Sequence, residues 1–124
     1  MNRRHRLARS DDFQRVRRQG RSWSHPLLVL LAVRNDLAYT RFGFLVSRRI
    51  GGAVVRNRVR RRMREAARLA HIAAGWDIVL IARVPIAQAD FWSVAGALDS
   101  LLQRAQLSVA PDASALPRPG GTDK

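Results

Sequence analysis

The most concentrated group of charged side chains in this sequence is a block of arginines. Six of them lie between positions 56 and 64, with no acidic residue among them. Arg56, Arg60 and Arg64 are spaced four apart, which places them side by side on one face of a helix. Like charges at this spacing destabilise an isolated helix by about 0.2–0.5 kcal/mol per pair. A phosphate backbone turns that repulsion into attraction and releases counterions on binding, so the block indicates a polyanionic partner.

Two other interpretations of the arginine block are a solvated basic face and a helix that lies on a membrane surface. Solvated helices usually mix charges of both signs, whereas only Glu65 offers local relief here. A membrane-surface helix carries bulky Leu, Trp or Phe opposite its charges. The residues opposite these arginines are mainly Val, Met and Ala, which suit packing on a sheet. We therefore favour nucleic acid as the partner.

The composition of the whole chain agrees with that choice. Its 124 residues include 23 basic and nine acidic ones, a net charge of +14, and 47% are hydrophobic, enough for the core of one domain. The absence of cysteine excludes disulfides, thiolate metal sites and cysteine nucleophiles. The basic N-terminus lacks a following apolar region, and the longest apolar run, 27–33, is far shorter than the roughly 20 residues of a membrane span. We expect a cytoplasmic protein with no membrane partner.

The rest of the sequence predicts the elements that position the arginines. Ser10 is expected to cap a short helix that carries Phe13 and Val16 on one face and stops at Gly20. The apolar run 27–33 and the alternating segment 39–47 predict two strands joined as a hairpin. The elements predicted further along are a helix from Val55 to near Gly75, a buried strand over 76–82, and a last helix capped by Asp90.

These elements, with a candidate short strand at 53–54, predict an α/β two-layer sandwich around one sheet. We expect a single domain over residues 1–107, of which 1–9 form a flexible basic arm. Residues 108–124 are rich in Pro, Ala and Gly and are predicted to be a disordered tail.

No catalytic site is evident among the side chains. His5, His25 and His71 are scattered, and none has a carboxylate at a suggestive spacing. A two-metal nuclease needs several convergent carboxylates, whereas the nine acids here are dispersed. Gly51-Gly52 is followed by no Lys-Ser/Thr pair, so it is not a P-loop. The sequence therefore predicts neither a catalytic site nor a metal site in the protein.

Residues 47–65, SRRIGGAVVRNRVRRRMRE, resemble the signature of the protein subunit of bacterial ribonuclease P. The Arg56-Asn57-Arg58 core of the motif follows a basic turn that contains Gly51, Ala53 and Val54. The resemblance also takes in 6–20 and 77–90, and covers roughly residues 5–105. It implies the element order α-β-β-β-α-β-α, with a left-handed βαβ crossover that general rules would not predict.

The resemblance also implies a division of labour between protein and RNA. In that family a catalytic RNA removes the 5′ leader of precursor tRNA, using Mg²⁺ held mainly by the RNA. The protein binds the catalytic RNA and, in a cleft between its first helix and the sheet, the single-stranded leader. No further protein partner is required.

The resemblance assigns two sets of residues in this chain. The predicted contacts to the catalytic RNA are Arg48, Arg49, Arg56, Asn57, Arg58, Arg60, Arg61 and Arg64. The predicted leader-binding residues are Arg6, Phe13, Arg17 and Leu31. Arg17 and Leu31 stand where many family members carry aromatics, so we expect weaker base stacking and more salt-sensitive leader binding. Trp76 and Trp92 are expected to serve the core or its rim.

Three other functions are alternatives to the ribonucleoprotein subunit. A structural RNA-binding protein of the ribosomal type has the same composition, and only the block 47–65 separates the two. A DNA-binding module is disfavoured because no helix-turn-helix pattern is present. A protein-only nuclease is disfavoured by the lack of a carboxylate cluster.

Overall fold

Three helices and four strands make up the fold. A computed structural model of the protein describes residues 5–109, so residues 1–4 of the predicted arm and nearly all of the predicted tail lie outside it. The elements are α1 (Ser10–Gln19), β1 (Arg21–Ser24), β2 (Leu28–Arg34), β3 (Arg41–Leu45), α2 (Ala53–Leu69), β4 (Trp76–Ala82) and α3 (Phe91–Arg104). The mixed α/β class and the order α-β-β-β-α-β-α are thereby confirmed.

The strands form one sheet in the order β1-β2-β4-β3. β2 runs antiparallel to both β1 and β4, and β3 runs parallel to β4. The predicted hairpin between β2 and β3 is wrong, because β4 lies between them. β4 carries the continuous apolar run Ile78–Ile81, and a strand of that kind is stable in the centre of a sheet, where both of its faces are covered. β3, α2 and β4 form the crossover for which the resemblance implies a left-handed sense.

Three strands precede the central helix, as predicted, but the one without a predicted counterpart is β1. The candidate strand at 53–54 is wrong. β1 has only four residues, RSWS, and only Trp23 is partly buried, so its sequence carries almost no strand signal. Ala53 and Val54 instead form the first turn of α2, which begins two residues earlier than predicted and ends at Leu69, before Gly75.

The two faces of the sheet are covered unequally. α2 and α3 pack on one face, where they bury Leu30, Ile78 and Leu80 in the main core. α1 lies on the other face, where Val16 and Leu7 pack against Val79. This second cluster is small, and it leaves several sheet residues only partly buried around α1: Leu31, Val33, Leu45 and Ile81. A partly open apolar cleft therefore lies beside α1.

Two predictions about segment ends need correction. Arg9 occupies the N-cap position of α1 and Ser10 is already helical, with no side-chain cap hydrogen bond. The arm is not free over its described part, because Leu7 is buried and its N–H donates to the carbonyl of Phe42 at 2.7 Å. The prediction for α3 is confirmed: Asp90 Oδ1 accepts a hydrogen bond from the N–H of Ser93 at 2.8 Å.

The chain remains hydrogen-bonded for two residues past the predicted start of the tail. Ser108 pairs with Ile72, and the N–H of Val109 donates to the carbonyl of His71 at 3.0 Å. The loop after α2 is thus tied to the end of the described chain.

Candidate nucleic-acid interface

α2 holds its arginines in place by burying the opposite side of the helix. Val59, Met63, Ala66 and Ala67 are buried against the sheet. Because these residues recur every three or four positions, the intervening arginines are forced to the flanks and outer surface of the helix. The flanks then differ in what the arginines contact.

One flank is partly engaged by the protein itself. Arg58 Nη2 donates to the carbonyl of Ala87 at 3.3 Å, and Arg62 Nη1 donates to the carbonyl of Ala89 at 2.6 Å. Both carbonyls belong to the segment that leads into α3. Arg58, which is predicted to contact RNA, therefore also joins α2 to this segment, and Arg62 does the same.

The other arginines leave their charge available to a partner. Arg56 Nε donates to the carbonyl of Gly51 at 3.1 Å, which ties it to the turn before the helix. Arg60 Nη1 donates to Asn57 Oδ1 at 3.1 Å, so the asparagine of the motif orients an arginine one turn away. Arg61 is exposed.

An open groove of about 440 Å³ runs along this outer surface of α2. Its lining residues are Asn57, Arg61, Arg64, Glu65 and Arg68. Arg68 is held by Glu65, with contacts of 3.0 and 2.6 Å to the two carboxylate oxygens. Within the described chain, Arg64 Nε is buried without a hydrogen-bond acceptor. Burial lowers the pKa of Arg64, and the charges of Arg6 and Arg60 lower it further. This N–H donor lacks an acceptor among the described residues, and a phosphate oxygen would supply one.

Arg6 lies apart from the other predicted leader-binding residues. It pairs with Phe42 at the outer edge of β3, and its charge acts on Arg64. Because Leu7 turns toward the α1 face, alternation along the extended chain turns Arg6 toward α2. The structure thus brings Arg6 to the arginine groove.

Arg48 and Arg49 are exposed on a short 3₁₀ turn, Arg48–Ile50, that precedes α2. Ile50 is buried and anchors this turn to the core. Gly51 follows with a φ of 156°, a conformation that side chains with a Cβ rarely adopt. The turn therefore presents both arginines next to the first residues of α2.

On the opposite face of the sheet, Phe13 and Leu31 belong to the same small apolar cluster. The Phe13 ring lies directly over Gly43 of β3, and a Cβ at that position would collide with Phe13 Cε1. The glycine therefore lets the ring lie close to the sheet, half-buried, with part of its surface facing the cleft. Arg17 follows Phe13 by four residues on α1 and is exposed, so it lies at the side of the ring.

A buried ion-pair network under α1 was not predicted from the sequence. Asp77 of β4 has no exposed surface and binds Arg15, Arg41 and Asn35. Burial alone would raise the pKa of Asp77. The hydrogen bonds from Arg41 and Asn35 and the charges of Arg41 and Arg15 outweigh it and hold the pKa below its ordinary value. The sequence feature that could have indicated this network is Asp77 itself, a single acid near the start of an otherwise apolar strand.

The two tryptophans behave differently from each other. Trp76 is partly buried, packs against the main core and lies under the guanidinium of Arg34 at 5.4 Å from the ring centre. Trp92 is 77% exposed and contacts Phe91 edge to face, so its assignment to the core or rim is wrong. It falls on the outer side of α3, whose inner side is filled by Val94, Leu98 and Leu101.

Two further classes of site are absent from residues 5–109. No group of three or more His, Asp or Glu side chains in this range is arranged to hold a metal ion. No helix in the range is both long and apolar enough to cross a bilayer.

Comparison with known proteins identifies close relatives. A family model described as Ribonuclease P matches residues 1–106. A ribonuclease P protein component from Roseiflexus castenholzii is 50% identical over 108 residues, which cover 85% of this chain and 88% of that protein. The protein of the same name from Chloroflexus aurantiacus is 44% identical over 114 residues, with 90% and 84% coverage.

Two solved structures are similar along most of their length. The Staphylococcus aureus RNase P protein has a TM-score of 0.77 and 30% identity, covering 85% of this chain and 98% of its own. The Thermotoga maritima RNase P protein has a TM-score of 0.74 and 35% identity, covering 80% and 96%. The resemblance noted in residues 47–65 thus extends to the whole fold.

Proposed function

The chain belongs to the ribonuclease P protein family, and on that premise we propose how its two faces serve the ribonucleoprotein. It is a ribonuclease P protein component, and its partner is the ribonuclease P RNA. The alternative of a ribosomal-type structural protein is not favoured by any of these matches.

The α2 surface is proposed to bind the catalytic RNA. The observation that carries this assignment is the groove in which Arg64 Nε is buried without an acceptor while the charges of Arg6 and Arg60 act on it. Phosphate oxygens would satisfy the donor and offset the repulsion. Arg48, Arg49 and Arg56 extend the surface at the N-terminal end of α2.

The opposite face is proposed to bind the 5′ leader of precursor tRNA. Phe13 offers a partly exposed ring on an apolar floor that includes Leu31, and base stacking on such a ring depends little on sequence. Arg17 adds a charge for the leader backbone. With the two faces on opposite sides of the sheet, one domain can contact both RNAs together.

Phosphodiester hydrolysis is proposed to be carried out by the RNA subunit, with the Mg²⁺ it needs held mainly there. The part of the chain that the structure describes offers no cluster of ligands for this ion. On this proposal the protein contributes no catalytic residue. A cytoplasmic location is proposed with it, since precursor tRNA is the substrate.

The test is a cleavage assay at low, near-physiological Mg²⁺. Purified protein, a bacterial ribonuclease P RNA and a precursor tRNA are combined, with protein alone and RNA alone as controls. We expect cleavage at the mature 5′ end only when both are present. Cleavage by the protein alone would contradict the assignment of the chemistry to RNA. A lack of stimulation, with RNA that is active alone at high Mg²⁺, would contradict the subunit role.

A further inference from the structure

A cavity of about 370 Å³ opens beside the C-terminal half of α2, and neither of the two proposed RNA-binding surfaces includes it. It lies between that helix and the segment that leads into β3. The residues that form its walls include His5, Tyr39, Phe42, Ala67, Ile72 and Ala74. Its volume falls within the range of sites that hold small organic ligands, about 300–1,000 Å³.

The walls of the cavity are apolar and partly aromatic. His5 and Tyr39 meet edge to face, with ring centres 5.2 Å apart, and both rings are partly exposed. His5 Nδ1 lies 3.1 Å from the carbonyl of Thr40, which fixes the imidazole. Thr40 Oγ1 donates to Ala73 and accepts from the N–H of Trp76, so its hydroxyl is satisfied. A flat, mainly apolar guest fits such walls.

The cavity adjoins the arginine groove of α2. Arg68 lines both, and the groove continues from it to Arg61 and Arg64. The donor of Arg64 that is buried without an acceptor lies on this groove. A cavity with aromatic walls therefore lies next to a cationic groove that contains a buried hydrogen-bond donor without an acceptor among the described residues.

We propose that the cavity binds one unpaired nucleobase of the catalytic RNA, while the groove binds the phosphate beside it. A nucleotide combines a flat base with an anionic phosphate, and RNA-binding proteins commonly hold splayed bases against aromatic side chains. This inference rests on the proposed role of α2 in binding that RNA.

The position of the cavity favours the catalytic RNA over the leader. Phe42, on its wall, belongs to the core cluster that packs against α2 and α3. Phe13 and Leu31 belong to the cluster on the other face of the sheet. A base bound in the cavity is thus on the same side as the arginine groove, away from the proposed leader cleft.

The first test fills the cavity. Ala74 is exposed at its wall, so Ala74→Leu occupies the space without removing a charge. Gly96→Leu is the matched control, because no atom lies within 4 Å of a Cβ placed there on α3. Affinity for the ribonuclease P RNA is measured by filter binding at one salt concentration. We expect Ala74→Leu to weaken binding about tenfold, or about 1.4 kcal/mol, and the control to match the parent chain.

A second test does not depend on how well Ala74→Leu folds. Tyr39 is replaced by the photoreactive p-benzoylphenylalanine in the full chain, and crosslinks are mapped in the assembled holoenzyme with precursor tRNA bound. We expect one crosslinked site in the catalytic RNA. Crosslinks to the leader alone, or none to the catalytic RNA, would overturn the proposal.

The result distinguishes this inference from the function on which it rests. If the parent chain binds the RNA and Ala74→Leu, shown by its unfolding curve to be folded, binds equally well, only the cavity proposal fails. If the parent chain does not bind the RNA, the role of α2 fails as well.

Discussion

Arg41 donates two parallel hydrogen bonds to Asp77, from Nε to Oδ1 at 2.9 Å and from Nη2 to Oδ2 at 2.7 Å. Arg15 of α1 and Asn35 complete the shell around this carboxylate. The network therefore joins β3, β4 and α1 beneath the proposed leader cleft. Its loss would affect both the stability of the fold and the position of α1.

Replacing Asp77 with Ala is expected to lower the free energy of unfolding by about 3 kcal/mol, because it leaves two guanidinium groups next to a buried gap. Urea unfolding followed by circular dichroism measures this. Glu65→Gln is the control, since it breaks an exposed ion pair with Arg68 and should leave the curve nearly unchanged. A similar loss in both variants would contradict the assigned importance of the buried network.

The same network predicts how stability depends on pH. The folded-state pKa of Asp77 is below its ordinary value, so its contribution is complete above that ordinary value and is lost as the pH falls through the folded-state pKa. We expect the thermal midpoint to fall below about pH 4, with a smaller fall in Asp77→Asn. Parallel curves for the two proteins would assign acid sensitivity to other groups.

Gly43→Ala is expected to weaken leader binding as Phe13→Ala does, because the added Cβ displaces the Phe13 ring from the sheet. Affinity is compared for precursor tRNA with and without its leader, in the assembled holoenzyme. Each single variant should lose several-fold in the leader-dependent part, and the double variant little more. Additive losses would show that Gly43 acts independently of the ring. Unaltered affinity for the catalytic RNA checks that assembly is intact.

Neighbouring arginines of α2 are expected to differ in role. Arg61 is exposed on the groove, whereas Arg62 donates to the carbonyl of Ala89 at 2.6 Å. Arg61→Ala should weaken binding of the catalytic RNA about tenfold. It should also reduce the slope of log affinity against log salt by about one. Arg62→Ala should instead cost about 1 kcal/mol of stability, with a smaller effect on binding. The reverse pattern would invalidate the assignment of the two sides of the helix.

The sequence predicted those parts of the fold whose signal is local. The apolar run of β4, the Asp90 cap and the periodicity of α2 each depend on neighbouring residues, and each was found. Strand pairing was missed because it depends on which strand is buried on both faces, so β2 and β3 were paired when β4 separates them. β1 was missed because its stability comes from pairing with β2, and its own residues are mostly polar.

The candidate interface could be predicted only in part, namely where its signal is local in sequence. The arginine motif is contiguous in sequence, so its helix and outward orientation followed directly. The arginines of α2 differ in role because of residues that are distant in sequence. The carbonyls of Ala87 and Ala89 engage one flank of the helix, and the charge of Arg6 acts on Arg64 in the groove. The cavity at Tyr39 combines three separate segments, and no local pattern indicates it.

Arg17→Ala is expected to reduce the salt dependence of leader binding, because this exposed arginine lies beside Phe13, at a position where the family resemblance implies an aromatic in many members. A phosphate contact releases about one counterion, so the slope of log affinity against log salt should fall by about 0.7, the value for a single strand. The measurement compares precursor tRNA with and without leader across a salt series. Arg104→Ala removes the same charge from α3, on the other face, and should leave the slope unaltered. An unchanged slope in Arg17→Ala would mean that charge does not compensate for the missing aromatic.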